Sequence, residues 1–316
     1  MATVLPRSAP VPPEGAAPAP APVRRRQRGR TLLAAVFLAP TIGGIALFTL
    51  LPIVASLVLA FFRWDIISPP QFVGAENFAD IARDPVVRVA FLNTFAFVAL
   101  AVSLQLVVAM VLATLVQSRM PTWLRAFFRS ALFFPLILSA ASVSLVMAYL
   151  FNEDFGLVNG VLGALGVGAV PWLTTPAGAT AVIVLVYVWQ NFGFTFLLFV
   201  GGLASVPRDV YEACAVDGIT GWARFRHITL PLLSPTVLVA SVMAMINALQ
   251  VFDQPYVLTR GGPGDSTRTA VMVIFESAFQ RLEFGRASAV GLVLTLVIVA
   301  VTAVQFRLSR RFVFYQ

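Results

Sequence analysis

Lysine is absent from this sequence, and arginine supplies all 22 basic residues of the 316-residue chain. The phosphate-binding loop of P-loop ATPases needs a lysine that reaches the terminal phosphates, so the chain cannot contain such a loop. The single cysteine, Cys214, excludes an intrachain disulfide and a metal site built from several thiolates. Charged residues make up only 11%, compared with roughly 25% in soluble domains. With 59% hydrophobic residues, the composition predicts an integral membrane protein.

The net charge of +8 does not indicate nucleic-acid binding, because the arginines precede or flank apolar runs. Residues 1–23 are mostly proline and alanine and are predicted to form a disordered tail. The arginine-rich segment 24–30 follows and is expected to hold the start of the first span on the cytoplasmic side. We therefore divide the chain into a tail, residues 1–30, and a membrane domain, residues 31–316.

Six apolar stretches are long enough to cross a bilayer core, which takes about 20 residues per helix. They lie near residues 33–61, 88–116, 131–151, 179–204, 235–257 and 286–306. Six crossings place both termini on one side. Arginines recur on that side, in segments 24–30, 119–129, 208–226 and 307–311, whereas carboxylates dilute them in the opposite connections. The bias predicts that both termini are cytoplasmic.

The connection 205–235 is too polar to span a membrane and is patterned as two short helices. Ser205 or Val206 is predicted to cap the first, with Pro207 and Asp209 in its first turn and its end near Asp217. Gly218 fits the left-handed position that ends a helix.

A second helix is predicted to begin after Thr220 and to run towards Pro231, so that a helix, a turn and a helix lie at the membrane surface. On the first helix, Val210, Ala213, Cys214 and Asp217 are predicted to share one face. This face suits close contact with another protein, and the alternative is a loop that rests on lipid headgroups.

The same loop resembles the EAA loop of ABC importer permeases, in which EAA is followed at fixed spacing by G and I-x-L-P. The matching residues are Glu212, Ala213, Gly218, Ile228, Leu230 and Pro231. Cys214 replaces the second alanine, a small residue for a small residue. The resemblance implies that Glu212, Ala213 and Gly218 form a coupling helix that docks on an ATPase subunit.

Two further segments are similar to those of MalF-like carbohydrate permeases, and the resemblance covers roughly residues 35–316. One is the FVG-x-x-NF segment, from Phe72 to Phe78, and the other is the FD…LT-x-GGP segment, from Phe252 to Pro263. The resemblance implies an inner-membrane subunit that works with a second, MalG-like permease, two ATPase subunits and an extracytoplasmic substrate-binding protein. It also implies that ATP and Mg are bound by the partner ATPase and that this chain itself needs no cofactor.

Two alternatives remain open on the residues alone. An intramembrane aspartyl protease is suggested by a GxGD match that ends at Asp265, but it needs a facing aspartate, and Asp253 in the same connection is the only candidate. A secondary carrier acting without an ATPase is disfavoured because Glu153 and Asp154, in a predicted external loop, are the only charges between Arg129 and Arg208.

Two polar stripes are candidates for the substrate path. Tyr187, Gln190 and Asn191 share a face of the fourth span, and Asn247, Gln250 and Gln254 share a face of the fifth. Uncharged amides among aromatic rings suit a sugar, and the alternative is that these side chains bond helices to one another. Asp253 either faces the path or begins the external loop, and we favour the loop.

The prediction is an all-α membrane protein with six transmembrane helices and a cytoplasmic helix-turn-helix coupling loop, the type I ABC importer permease fold. Its function is expected to be import of a sugar, a polyol or a glycerol phosphate, without catalysis by this chain. We expect the cell inner membrane and its lipid bilayer as the location.

Overall fold

A computed structural model describes residues 24–117 and 120–310. The predicted disordered segment 1–23 lies outside these residues, and the arginine-rich segment 24–30 belongs to the first helix. The chain divides into two compact units, Met1–Ala55 and Ser56–Gln316.

The described chain is helical apart from one short antiparallel ribbon, in which Phe62 lies opposite Phe72. The helices are α1 (Arg24–Ile45), α2 (Leu51–Leu59), α3 (Glu76–Arg83), α4 (Pro85–Gln117), α5 (Thr122–Phe133), α6 (Ala140–Leu150), α7 (Leu157–Ala164), α8 (Pro176–Ser205), α9 (Arg208–Val216), α10 (Gly221–Arg224), α11 (Leu230–Leu232), α12 (Ser234–Leu249), α13 (Asp253–Thr259), α14 (Ala270–Phe275) and α15 (Phe284–Ser309), and the strands are β1 (Phe62–Arg63) and β2 (Gln71–Phe72).

Four of the six predicted spans are confirmed as long apolar helices. They are Leu33–Leu59, Pro85–Gln117, Pro176–Ser205 and Phe284–Ser309. Leu33–Leu59 is 27 residues long and apolar, which is long enough to cross the hydrocarbon core of a bilayer.

The other two predicted spans are not straight. Thr122–Ile137 and Ala140–Leu150 meet at 95°, and Gly221–Leu232 and Ser234–Leu249 meet at 72°. The first bend follows a 3₁₀ turn, Phe134–Ile137, that contains Pro135, which has no N–H for a helical hydrogen bond. The predicted fifth span, 235–257, is wrong at its end: α12 stops at Leu249, and the separate helix α13 packs against α6 and α8.

The core forms where α4 packs against α8. Ala101, Ala109 and Ala113 are fully buried and, at multiples of four residues, lie on one face of α4. Small residues let two membrane helices approach closely, and Phe196 and Phe199 of α8 are buried in the same core. Gln105 continues the alanine stripe and donates to the Thr195 hydroxyl at 2.8 Å.

The two ends of the unit Ser56–Gln316 differ in charge pairing. At one end, where α4 and α15 begin, Arg286 is paired with Asp84, Arg63 with Glu76, and Arg268 with Glu276. We call it the paired end, because all salt bridges between described residues lie there. The other end, where α4 and α8 finish, carries α9 and α10 and is called the α9 end.

Candidate functional site

Helix α9 begins one or two residues later than its sequence predicts, since Ser205 or Val206 was the predicted cap. Pro207 is the N-cap residue and no side chain caps the helix, whereas Ser205 donates its hydroxyl to the carbonyl of Gly202 in α8. Asp209 lies in the first turn, where a carboxylate favours the positive end of the helix dipole.

Gly218 ends the α9 segment as predicted, with a left-handed φ of +69°. The N–H of Ile219 then donates to the carbonyl of Cys214 at 2.8 Å, which satisfies a carbonyl that the end of the helix leaves free. The chain can turn back sharply here because glycine adopts this φ without steric cost.

The second helix of the loop is less regular than predicted. Thr220 occupies the N-cap position with an extended backbone, but its side chain accepts no capping hydrogen bond. After the four residues of α10 the chain passes through a π turn, Phe225–Thr229, and the three residues of α11.

The predicted shared face of α9 needs correction. Cys214 is only 5% exposed, so it is not part of the free surface. Glu212, Ala213 and Asp217 are exposed, and the neighbouring Val216 is 88% exposed. The free face of α9 thus combines carboxylates with small and apolar residues, which suits docking on another protein.

The polar residues of the two predicted stripes have different environments. Gln190 is buried and donates from Nε2 to the carbonyl of Leu138 at 3.0 Å, and its Oε1 accepts from Gln254 Nε2 at 2.9 Å. For Gln190 and Gln254 the geometry therefore favours a role in hydrogen bonding between helices over a role in the substrate path. Tyr187 is also buried, and its ring packs edge-on against Phe97.

The remaining members of the stripes are more accessible. Asn247 and Gln250 are exposed at the end of α12, and Asn191 is half-buried with its amide bonded to the carbonyl of Tyr187 at 2.9 Å. Asp253 is the first residue of the helix α13, and its place in the external loop stays a prediction. Of the candidates, these amides are the ones that remain available to a substrate.

Sequence reasoning missed a polar clamp between α4 and the connection before α14. Asn93 donates to the carbonyls of Asp265 and Arg268, at 2.6 and 3.1 Å, and Thr94 accepts from the N–H of Ala270 at 3.0 Å. The polar pair Asn93 and Thr94 within an apolar helix was the signal available for it.

The connection that carries the GxGD match turns at Gly261 and Gly264, which both have a left-handed backbone. Asp265, the acid of the GxGD match, is ion-paired with Arg268 at 2.8 Å within this turn. Asp265 is therefore held in a local ion pair, whereas an aspartyl protease needs two facing aspartates.

The family model described as binding-protein-dependent transport system inner membrane component matches residues 105–314, which include α9, α10 and both polar stripes. The chain belongs to this family. The resemblance to ABC importer permeases is thereby confirmed: the chain is a multi-pass permease subunit of an ATP-driven importer, and ATP hydrolysis belongs to a separate subunit.

Two relatives of this family align along most of their length. The sulfoquinovosyl glycerol transport system permease protein SmoG of Agrobacterium fabrum is 35% identical, over 89% of this chain and 92% of its own. The trehalose/maltose transport system permease protein MalF of Thermococcus litoralis is 32% identical, over 86% and 91%.

The fold is also that of a solved permease. A chain of a bacterial ABC transporter that imports the acidic polysaccharide alginate superposes with a TM-score of 0.81, covering 91% of this chain and 98% of that one. The sequence identity is 22%, so this likeness is evidence for the fold.

Proposed function

We propose that this permease subunit imports a sugar or a related polyol or glycerol phosphate, and that α9 couples it to the ATPase. The observation that carries the proposal is the free face of α9, where Glu212, Ala213 and Asp217 project at one end of the bundle beside the left-handed Gly218. The sugar class rests on the permease relatives, whose names specify sulfoquinovosyl glycerol and trehalose/maltose.

In this proposal the α9 end faces the cytoplasm, together with both termini. Arg208, Arg224 and Arg226 support it, because among the described residues they form no salt bridge, whereas the arginines of the paired end are held by carboxylates. The paired end then receives the substrate from an extracytoplasmic binding protein.

The complete importer would contain a second, MalG-like permease and two ATPase subunits that bind ATP and Mg. The exposed amides of Asn247 and Gln250 and the half-buried amide of Asn191 are proposed to line the path between the two permeases, because neutral donors and acceptors match sugar hydroxyls. Gln190, Gln254 and Tyr187 would shape that path from behind.

Co-purification tests the coupling role. The tagged chain is isolated from its native membrane as wild type, as Glu212→Arg and as Asp154→Arg, a charge reversal of an exposed carboxylate in the connection after α6. We expect the wild type and Asp154→Arg to retain a P-loop ATPase and Glu212→Arg to lose most of it. Equal retention by all three would remove α9 from the coupling interface.

A further inference from the structure

Two arginines at the α9 end lack any acidic partner in the described chain. Arg208 on α9 and Arg224 on α10 form no salt bridge there, in contrast to the arginines of the paired end. The guanidinium of Arg224 lies over the ring of Tyr211 at 5.4 Å, a cation–π contact that ties α10 to α9. Both positive charges therefore remain available to an external anion.

Both arginines line a cavity of about 580 Å³ enclosed by the ends of α4 and α8 and by the coupling loop. Its other polar lining includes Gln117 and Tyr211, and none of its lining residues is acidic. Gln117 accepts from the Arg129 guanidinium at 3.3 Å, which brings a third positive charge to the edge of the cavity. Such a lining attracts a phosphate-like anion.

An apolar groove of about 290 Å³ adjoins this cavity and shares Thr114, Gly221 and Phe225 with it. The rest of the groove is formed by Met110, Val111 and Trp222. Trp222 is 70% exposed and stacks on Phe225 at 5.3 Å, and Val111 is 50% exposed on the outer surface of α4. Trp222, in the short helix α10, thus lies exposed beside the last turns of the membrane helix α4, and tryptophan is enriched at the lipid interface.

We propose that the cavity and the groove together bind one anionic phospholipid. Its phosphate would lie between Arg208 and Arg224, and an acyl chain would follow Met110, Val111 and Trp222. A small soluble anion would use the basic cavity alone, whereas a lipid uses both parts of the site, and basic pockets between membrane helices are known to accept anionic headgroups. This site goes beyond the transport function and places a lipid directly behind the coupling helix.

The test is native mass spectrometry of the full-length chain, co-expressed with its partner subunits, in the presence of phosphatidylglycerol or of phosphatidylethanolamine with identical chains. We expect phosphatidylglycerol to bind preferentially. The double variant Arg208→Gln/Arg224→Gln should bind it about 25-fold more weakly, since each surface arginine contributes about fivefold. The lysine pair Arg208→Lys/Arg224→Lys keeps both charges and should retain most of the binding, which separates loss of charge from loss of folding.

Arg226→Gln is the matched control, because Arg226 lies two residues from Arg224 but lines a different groove, between α12 and the end of α15. It should bind phosphatidylglycerol within about twofold of the wild type, while Trp222→Ala should lose several-fold. If Arg226→Gln and the double variant lost phosphatidylglycerol binding equally, the lipid would bind a diffuse basic surface and not this site. Displacement of the lipid by glycerol phosphate, with no effect of Trp222→Ala, would identify a soluble anion as the ligand and overturn the lipid proposal.

Discussion

Gln254 at the start of α13 donates its amide to the side chain of Gln190 in the middle of α8, 2.9 Å away in a fully buried position. Gln190 in turn donates to the carbonyl of Leu138, which lies at the 95° bend between α5 and α6. One pair of amides therefore ties together a straight span, a bent span and a short helix. The freed carbonyl of the bend is satisfied by a side chain from a neighbouring helix, as the interior of a membrane requires.

Breaking the hydrogen-bond relay from Gln254 through Gln190 to the carbonyl of Leu138 should destabilise the fold. Gln254→Leu leaves the buried Oε1 of Gln190 without a donor, and Gln190→Leu also orphans the carbonyl of Leu138. We expect each variant to lose about 1–3 kcal/mol in free energy of unfolding. Thermal unfolding of both single variants and the double variant, as a double-mutant cycle, should give a coupling energy of about 0.6–1.7 kcal/mol. A coupling near zero would show that the relay is not a stabilising unit.

The accessible amides should affect transport instead of stability. Asn191→Ala, Asn247→Ala and Gln250→Ala are each expected to reduce uptake of the cognate sugar by about fivefold, the value of one ordinary hydrogen bond. Their melting temperatures should stay near that of the wild type, because Asn247 and Gln250 are exposed and Asn191 is half-buried. Unchanged uptake in all three would assign the path to other residues.

The sequence predicted the straight spans well and the bent ones poorly. Apolar content alone locates α4, α8 and α15, because each is apolar for longer than a bilayer core is thick. It cannot show that the chain leaves the helix after Leu249 and starts again at Asp253, since the stretch 235–257 is apolar enough overall to be predicted as one span. Contacts with α6 and α8 fix the direction of α13.

The loop shows the same division between local and tertiary information. The end of α9 at Gly218 follows from the backbone preference of one residue and was predictable. The burial of Cys214 depends on how α9 lies against the bundle, which helical periodicity does not specify. Gln190 and Gln254 likewise belong to two separate polar stripes in the sequence, and only the fold brings them together.

The Asp84–Arg286 ion pair should make stability depend on pH. Partial burial opposes ionisation of Asp84, but hydrogen bonds from Arg286 and the backbone N–H of Val86 together hold the pKa of Asp84 below its usual value. Because the unfolded-state pKa, about 3.9, is higher, the stabilisation is complete above that pH and is lost as the pH falls through the folded-state pKa.

Asp84→Asn is therefore expected to melt at a lower temperature than the wild type at pH 7, with a difference that shrinks below about pH 4. Thermal melting between pH 7 and pH 3 measures it, with the exposed Asp80→Asn on α3 as control. A difference that persists unchanged at pH 3 would mean that ionisation of Asp84 does not stabilise the fold.

Gly285 should tolerate no side chain. A Cβ at this position would lie 1.8 Å from the carbonyl oxygen of Phe62 and 3.2 Å from Nδ2 of Asn77. Asn77 itself donates to the carbonyls of Ala60 and Phe62, both at 2.9 Å, so the clash would disturb the packing of α3 and β1 against α15.

We expect Gly285→Ala to lose about 1–3 kcal/mol through overpacking. Gly291→Ala, on the same helix, has its nearest neighbour at 3.9 Å and should be neutral or slightly stabilising because alanine favours helix. The yield of folded protein and the melting temperature of the two variants measure this difference in stability. Similar behaviour of the two variants would show that the contact with Phe62 relaxes at little cost.

The orientation and docking face of α9 can be tested with single thiols, because Cys214 is the only native cysteine. Buried Cys214 should react slowly with a membrane-impermeant maleimide from either side. In a Cys214→Ala background, Ala213→Cys and Val216→Cys should be labelled rapidly from the proposed cytoplasmic side when the ATPase is stripped away, and should be protected when it is restored.

Asp154→Cys, on the connection after α6, serves as the control and should be labelled only from the opposite side. Labelling of Ala213→Cys from the side that reaches Asp154→Cys would reverse the proposed topology, and labelling unaffected by the ATPase would separate the free face of α9 from the coupling interface.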